Sequence, residues 1–226
     1  MSAQIEENRF VMTKSLDQAP PVALDTRSFV LFVAGPSGVG KTSICQRIID
    51  NDRLVQACVT TTTRPKRSAE VDGVDYQFVS EDAFNRIVEA GEFIEWAEVH
   101  GYLYGATSEA VAKALSGGQV MLLDVDVQGI KTWKAALEDR CVTAFVVPPT
   151  IDMLKKQLEE RKTEDEASFK TRMEDAQKEL SEADGFDYLI VNDDLQQAIS
   201  DLEAIISAER CRPRRMRNAL SRLLNH

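Results

Sequence analysis

An α/β fold built on a parallel sheet is what this sequence predicts, and three observations predict it. Four short apolar runs, Ser28 to Ala34 (SFVLFVA), Gln119 to Val125 (QVMLLDV), Cys141 to Val147 (CVTAFVV) and Phe186 to Val191 (FDYLIV), have the length and continuous hydrophobicity of strands buried on both faces. Each is followed by a segment with helical spacing, and strands that alternate with helices form a parallel sheet with helices on both faces. The chain has 226 residues, of which 43% are hydrophobic, enough to bury a full core in one domain that carries inserted pieces.

Taken in order, residues 1–27 lack apolar periodicity and hold Pro20 and Pro21, which reads as an extension, disordered or laid along the surface. The first apolar run then breaks at Gly35 to Gly40, and a helical stretch begins at Lys41. From Val59 to Gly105 the texture changes to short alternating pieces, Asp75 to Val79 and Phe93 to Val99, punctuated by Gly73, Gly91 and Gly101, as expected of a small β-rich insertion. Lys155 to Leu180 is highly charged without Gly or Pro, consistent with two exposed helical arms joined near Lys162 and Thr163. The segment 210–226 carries Arg210, Arg212, Arg214, Arg215, Arg217 and Arg222, with Met216, Leu220, Leu223 and Leu224 at helical spacing, and predicts a terminal helix packed on the body or on a second subunit.

Composition narrows the function. A formal net charge of −10 disfavours nonspecific binding to nucleic acid, so any anionic ligand must be held by a local basic cluster. No apolar run is long enough to cross a bilayer, and Glu6 and Glu7 interrupt the polar start, so no stable membrane association and no secretory or mitochondrial address is expected. Cys45, Cys58, Cys141 and Cys211 form no C-x-x-C pair and stand far in sequence from His100 and His226; they read as reduced thiols of a cytoplasmic protein, without a zinc site.

Gly35, Pro36, Ser37, Gly38, Val39, Gly40, Lys41 and Thr42 satisfy G-x-x-x-x-G-K-[ST] at every fixed position, between a predicted strand and a predicted helix. The chemistry follows from the residue types. Glycines let backbone N–H groups curl around phosphate oxygens, and the helix N-terminus adds the positive end of its dipole. Lys41 is placed to reach the β and γ phosphates of a nucleoside triphosphate, and Thr42 to ligate Mg²⁺. This is a P-loop, which does not by itself name an acceptor.

The stretch from Thr60 to Phe78, TTTTRPKRSAEVDGVDYQF, places Arg64 and Arg67 three residues apart in a polar loop, where two guanidinium forks can converge on one phosphate. In this stretch the sequence resembles the guanylate kinases, whose signature T-T-R-x-x-R-x-G-E-x-x-G-x-D-Y-x-F follows the P-loop. Phe93-Ile-Glu95-Trp-Ala, Tyr104-Gly105, Leu123-Asp124-Val-Asp126-Val-Gln128-Gly129 and Val191-Asn192-Asp193 match as well, and the resemblance runs unbroken from about Phe29 to Ala208.

The resemblance implies a P-loop fold with a parallel five-stranded core sheet, an inserted mixed-β GMP-binding region near 59–106 and a helical lid near 155–172, within a domain spanning 28–209. It implies transfer of a phosphoryl group from ATP to GMP or dGMP, with Mg²⁺, in a monomer or homo-oligomer. Carried over by position, Arg64, Arg67, Tyr76 and Tyr104 bind the GMP phosphate, while Thr60, Glu95 and Asp126 read the guanine. Arg161 and Arg172 align with the lid arginines, Asp124 with the acidic residue near Mg²⁺, and Asn192 with an ATP contact. Base chemistry agrees: guanine offers N–H donors at N1 and N2 that a buried carboxylate accepts, adenine presents an acceptor at N1, and Thr60 can donate to O6.

The chain also departs from the pattern. Ala106 stands where a hydroxyl usually contacts GMP, with Thr107 adjacent; Lys66 and Ala69 replace a proline and a glycine, and Gln157 and Lys162 an arginine and a glycine of the lid. Two rivals share the fold: an inert interaction module, against which Lys41, Thr42, Arg161 and Arg172 argue, and a kinase of a ribosyl phosphate, in which Thr60, Glu95 and Asp126 would have no purpose.

Overall fold

The computed structural model describes residues 11–12, 27–99, 101–125, 127–160 and 166–224. In chain order its elements begin with β1 (Val11–Met12), β2 (Phe29–Ala34), α1 (Lys41–Asn51), β3 (Val55–Ala57), β4 (Thr60–Thr62), β5 (Tyr76–Phe78), α2 (Glu81–Glu89), β6 (Phe93–Val99) and β7 (Tyr102–Thr107). They continue with α3 (Ser108–Ala114), β8 (Val120–Asp124), α4 (Val127–Leu137), β9 (Cys141–Val147), α5 (Ile151–Glu160), α6 (Glu166–Ser181), β10 (Tyr188–Val191), α7 (Leu195–Arg210) and α8 (Arg217–Leu224).

The core sheet has the order β10-β9-β2-β8-β3, and every neighbouring pair is parallel. The four apolar runs supply β2, β8, β9 and β10. The fifth strand, β3, has only three residues and no alternation long enough to announce itself. All six residues of β2 are buried, and the pleat sends them alternately to two cores. Phe29, Leu31 and Val33 pack with Ile44 and Ile48 of α1 and with Leu202 and Ile206 of α7. Val30 and Phe32 pack with Val111 of α3 and with Ile130, Trp133 and Leu137 of α4. Helices therefore cover both faces, which is why the strands can be apolar throughout.

The second sheet has the order β1-β6-β7-β4-β5, antiparallel except for β4 beside β5. One face is sealed by α2, which starts where the Ser80 side chain accepts from Ala83 N and buries Phe84. Phe84 stacks on Phe93 at 4.5 Å between ring centroids and meets Trp96 edge-on at 6.1 Å. A Cβ at Gly105 would stand 2.6 Å from the Phe93 ring, so that packing admits only glycine there. The edge strand β1 comes from the predicted extension, with Val11 and Met12 in register with Trp96 and Glu95; residues 1–10 and 13–26 lie outside the described residues.

The predicted charged arms are α5 and α6, which meet through Leu154 and Ala176, flanked by Phe169 and Met173; their junction, 161–165, lies outside the described residues. Among the described residues, no helix is long and apolar enough to cross a membrane.

The basic terminal segment is anchored by its arginines rather than by its apolar stripe. Buried Glu209 receives the Tyr188 hydroxyl at 2.7 Å and pairs with Arg212 at 2.7 Å and Arg215 at 3.1 Å. Arg215, 2% exposed, lays its guanidinium 4.3 Å from the Phe29 ring centroid, while Arg210 pairs with Asp52 at 2.7 Å. Leu220, Leu223 and Leu224 remain exposed on α8.

Candidate active site

At the C-terminal end of β2 the chain turns through Gly35, Gly38 and Gly40, all at positive φ (137°, 91° and 97°). A Cβ at Gly35 would lie 2.2 Å from the Val146 carbonyl oxygen, and one at Gly40 2.6 Å from Asn192 Nδ2. The loop is thus pressed against β9 and the end of β10. Helix α1 begins with no side-chain cap and no acidic residue in its first turn, so its N-terminal N–H groups and dipole face a cleft of about 440 Å³.

Lys41 Nζ donates to the carbonyls of Gly35 at 2.6 Å and Pro36 at 3.1 Å. These bonds arch the lysine back over the loop. Thr42 Oγ1 donates to Asp124 Oδ2 at 2.7 Å, which joins the start of α1 to the end of β8. Asn192 Nδ2 donates to Val39 O at 2.7 Å, so this residue braces the loop from beneath. Behind it, burial pushes the Cys45 thiol up to about 12; Cys58 and Cys141 are driven to the same range, and all four cysteines are free.

The acceptor candidates assemble through strand register. Thr60 stands beside Tyr76, Thr62 opposite Tyr104, Tyr104 opposite Ala97, and Glu95 opposite Ala106. Cross-strand partners and alternate residues share a face, so Thr60, Tyr76, Glu95 and Tyr104 lie on one side of the sheet, opposite the side that α2 covers. Arg64 joins them, its guanidinium 5.4 Å from the Tyr76 ring centroid and 5.8 Å from that of Phe78, while Tyr76 and Tyr104 meet edge-on at 6.0 Å.

Glu70 holds this arginine. Its Oε1 accepts from Arg64 Nη2 at 2.6 Å and its Oε2 from the Arg67 backbone N–H at 2.8 Å. The pairing raises the Arg64 pKa, with a smaller contribution from Tyr104, and lowers that of Glu70. Arg67 itself is exposed beside them. Glu95 is 9% exposed, and burial pushes its carboxyl up to about 7, with a smaller opposing influence from Trp133.

Of the lid candidates, Arg172 lies on α6, and Glu179, about two turns further along the same face, lines the cleft with Lys41, Thr42 and Asp124. Arg161 and Asp126 lie outside the described residues. The family model described as guanylate kinase matches residues 26–209.

The chain belongs to the guanylate kinase family.

A guanylate kinase of Syntrophotalea carbinolica is 40% identical over 200 residues, covering 88% of this chain and 95% of the relative. One of Sulfurimonas denitrificans is 42% identical over 181 residues, covering 80% and 88%. Among solved structures, the guanylate kinase of Anaplasma phagocytophilum superposes with a TM-score of 0.65 at 28% identity, covering 85% of this chain and 91% of that one. The P-loop fold with its five-stranded parallel core sheet is therefore the family's fold.

Two residues at the site escape sequence reasoning. Glu70 sits inside the arginine motif, yet its clamp on Arg64 depends on loop geometry. Glu179 is hidden in a run of charges.

Proposed function

We infer that this protein is an ATP:GMP phosphotransferase. It moves the γ-phosphoryl of ATP to the phosphate of GMP, giving ADP and GDP. The observation that carries the reading is the pairing of an uncapped P-loop helix with a second sheet whose open face gathers a guanidinium, two phenols, a threonine and a buried carboxylate.

The acceptor phosphate is already nucleophilic, so no general base and no covalent enzyme intermediate is needed. An acceptor oxygen bonds to the γ phosphorus as the bond to the bridging oxygen breaks, and ADP leaves with that electron pair. Catalysis is then positioning plus neutralisation of charge. In this reading Lys41 exchanges the Gly35 and Pro36 carbonyls for β and γ phosphate oxygens, while the glycine loop and the α1 terminus hold the triphosphate and Asn192 keeps the loop in shape. Arg64 and Arg67, with Tyr76 and Tyr104, take the GMP phosphate; Glu95, Thr60 and Asp126 take the guanine. Arg161 and Arg172, on a lid near 155–172, close over the transferring group and exclude water.

The donor set also suits Mg²⁺. The Thr42 hydroxyl and the Asp124 carboxylate, 2.7 Å apart at the cleft, are hard oxygen donors. No cluster of three or more His, Cys, Asp or Glu that could hold a metal occurs among the described residues, so most ligands must be phosphate oxygens and water, as this ion prefers. Thr42 and Asp124 would hold it, the latter in part through water; when bound, it neutralises charge on the β and γ phosphates.

The test is ATP-dependent formation of ADP with GMP, dGMP, AMP, UMP or a ribosyl phosphate offered as acceptor. Turnover selective for guanine nucleotides and lowered about a thousandfold in Lys41→Ala is expected. No turnover with any acceptor would overturn the reading.

A further inference from the structure

One wall of the cleft at the head of α1 comes from the charged arm. Glu179 of α6 lines that cleft together with Lys41, Thr42 and Asp124, so a second carboxylate faces the space into which the glycine loop and the α1 terminus turn. Among the described residues that line it, Lys41 supplies the only side-chain cation, against the two carboxylates of Asp124 and Glu179. A cleft built to take anions thus carries more negative than positive side chains. A metal-free polyphosphate brought there meets repulsion from both acids, which one lysine and a helix dipole offset only in part.

The packing of α6 fixes where Glu179 stands. Phe169, Met173, Ala176 and Leu180 recur along this helix at helical spacing. The first three pack with Leu154 of α5, whereas Leu180, followed by Ala183, packs on the core that holds Val30, Phe32 and Phe145 of the central sheet. Glu179 therefore belongs to the end of α6 that is anchored in the body, and Arg172 stands about two turns further out. The carboxylate is half-buried at the cleft wall, and the anchoring of its helix end holds it there whatever the outer part of the arm does.

Mg²⁺ fits such a wall. Thr42 and Asp124 across the cleft offer hard oxygen donors, and no cage of three or more His, Cys, Asp or Glu occurs among the described residues. An ion of this kind keeps several of its waters, and a carboxylate on the facing wall can accept from them. We propose that Glu179 is a specificity-determining residue of the donor site: from the anchored end of α6 its carboxylate favours the nucleotide that carries Mg²⁺ and repels the metal-free nucleotide. This deepens, and rests on, the reading of the loop as the site of the nucleotide phosphates.

Binding without turnover tests it. ADP is titrated calorimetrically into the unaltered chain, once with excess Mg²⁺ and once with a chelator, and the ratio of the two Kd values measures the preference for the metal-bound form. Glu179→Gln keeps the shape and removes the charge. Its Kd for ADP with Mg²⁺ should rise about threefold and its Kd for ADP alone should fall about threefold, so that the preference drops about tenfold. Glu174→Gln removes an equal charge from an exposed position of the same helix and should leave the preference within about twofold. Glu179→Asp, which shortens the reach but keeps the charge, should still repel metal-free ADP while binding the Mg²⁺ form more weakly.

A preference that Glu179→Gln leaves unchanged, or that Glu174→Gln lowers equally, overturns the proposal. Lys41→Ala separates this failure from that of the wider reading. If Lys41→Ala weakens ADP binding in both conditions while Glu179→Gln changes nothing, the loop holds the phosphates and only the role of Glu179 fails. If Lys41→Ala leaves ADP binding intact, the phosphates are held elsewhere and the role of Glu179 falls with that reading.

Discussion

In the function proposed above, the donor loop and the acceptor sheet hold the same chemical group, a phosphate, with different materials. The loop is made of backbone: three glycines at positive φ, an uncapped helix and one lysine, all within eight consecutive residues and braced by Asn192. The acceptor face is made of side chains from four strands and a loop, brought together by register and steadied by Glu70. A backbone site cannot be altered one residue at a time without moving the chain. A side-chain site can lose one contact and keep the rest, which suits it to selecting among acceptors.

The sharpest test of that difference is Gly35→Ala. The added Cβ would stand 2.2 Å from the Val146 carbonyl at a φ of 137°, so the loop must move away from β9. We expect a stability loss of ~3 kcal/mol or more together with loss of ATP binding, measured by urea unfolding and by nucleotide titration. If the variant stays stable and active, the loop is not held by that close approach.

On the acceptor side the corresponding change is gentler. Glu70→Ala removes the carboxylate that fixes both Arg64 Nη2 and the Arg67 backbone, yet the strands keep their register. The KM for GMP is expected to rise about tenfold with the KM for ATP unchanged, as steady-state kinetics with each substrate varied in turn will show. Equal effects on both substrates would mean that the two sites are not separable in this way.

The same contrast decided what could be read from the sequence. The loop was legible because its residues are contiguous and their spacing is itself the mechanism, and the long apolar strands because burial on both faces leaves a continuous pattern. Arg64 and Arg67 are legible from their spacing, but the other acceptor residues follow only from resemblance, since nothing in the order of Thr60, Tyr76, Glu95 and Tyr104 says that register will put them on one face. β3 is too short to carry a period. Trp133 looks like core because it is core. The terminal arginines looked like the polar side of an amphipathic helix, whereas Arg215 is buried against Phe29 and Glu209.

Burial of Glu95 separates the two regions by pH as well. Its folded pKa of about 7 lies above the ordinary carboxylate value of 4.5, so between these values the folded state holds a proton that the unfolded chain has released. Stability is therefore fully present below about 4.5 and is lost as pH rises toward 7, above which the ionised carboxylate remains a cost. Glu95→Gln should raise the melting temperature at pH 8 by roughly 3 °C more than it does at pH 5. A pH-independent difference would place the carboxylate in solvent.

The smallest effect is expected at the far end of the molecule. The anchoring of the terminal segment is complete by Arg215, while beyond it Leu220, Leu223 and Leu224 are 47%, 76% and 81% exposed and bury little area to lose. Removing residues 217–226 should change stability by no more than about 0.5 kcal/mol, since it leaves the Glu209 cluster intact and touches neither phosphate site. kcat and both KM values should be unchanged, as thermal unfolding and the GMP assay on the shortened chain will show. A larger loss would mean that α8 contributes a contact in solution that its exposed leucines do not make here, and a loss that grew as the protein was diluted would identify that contact as a second copy of the chain.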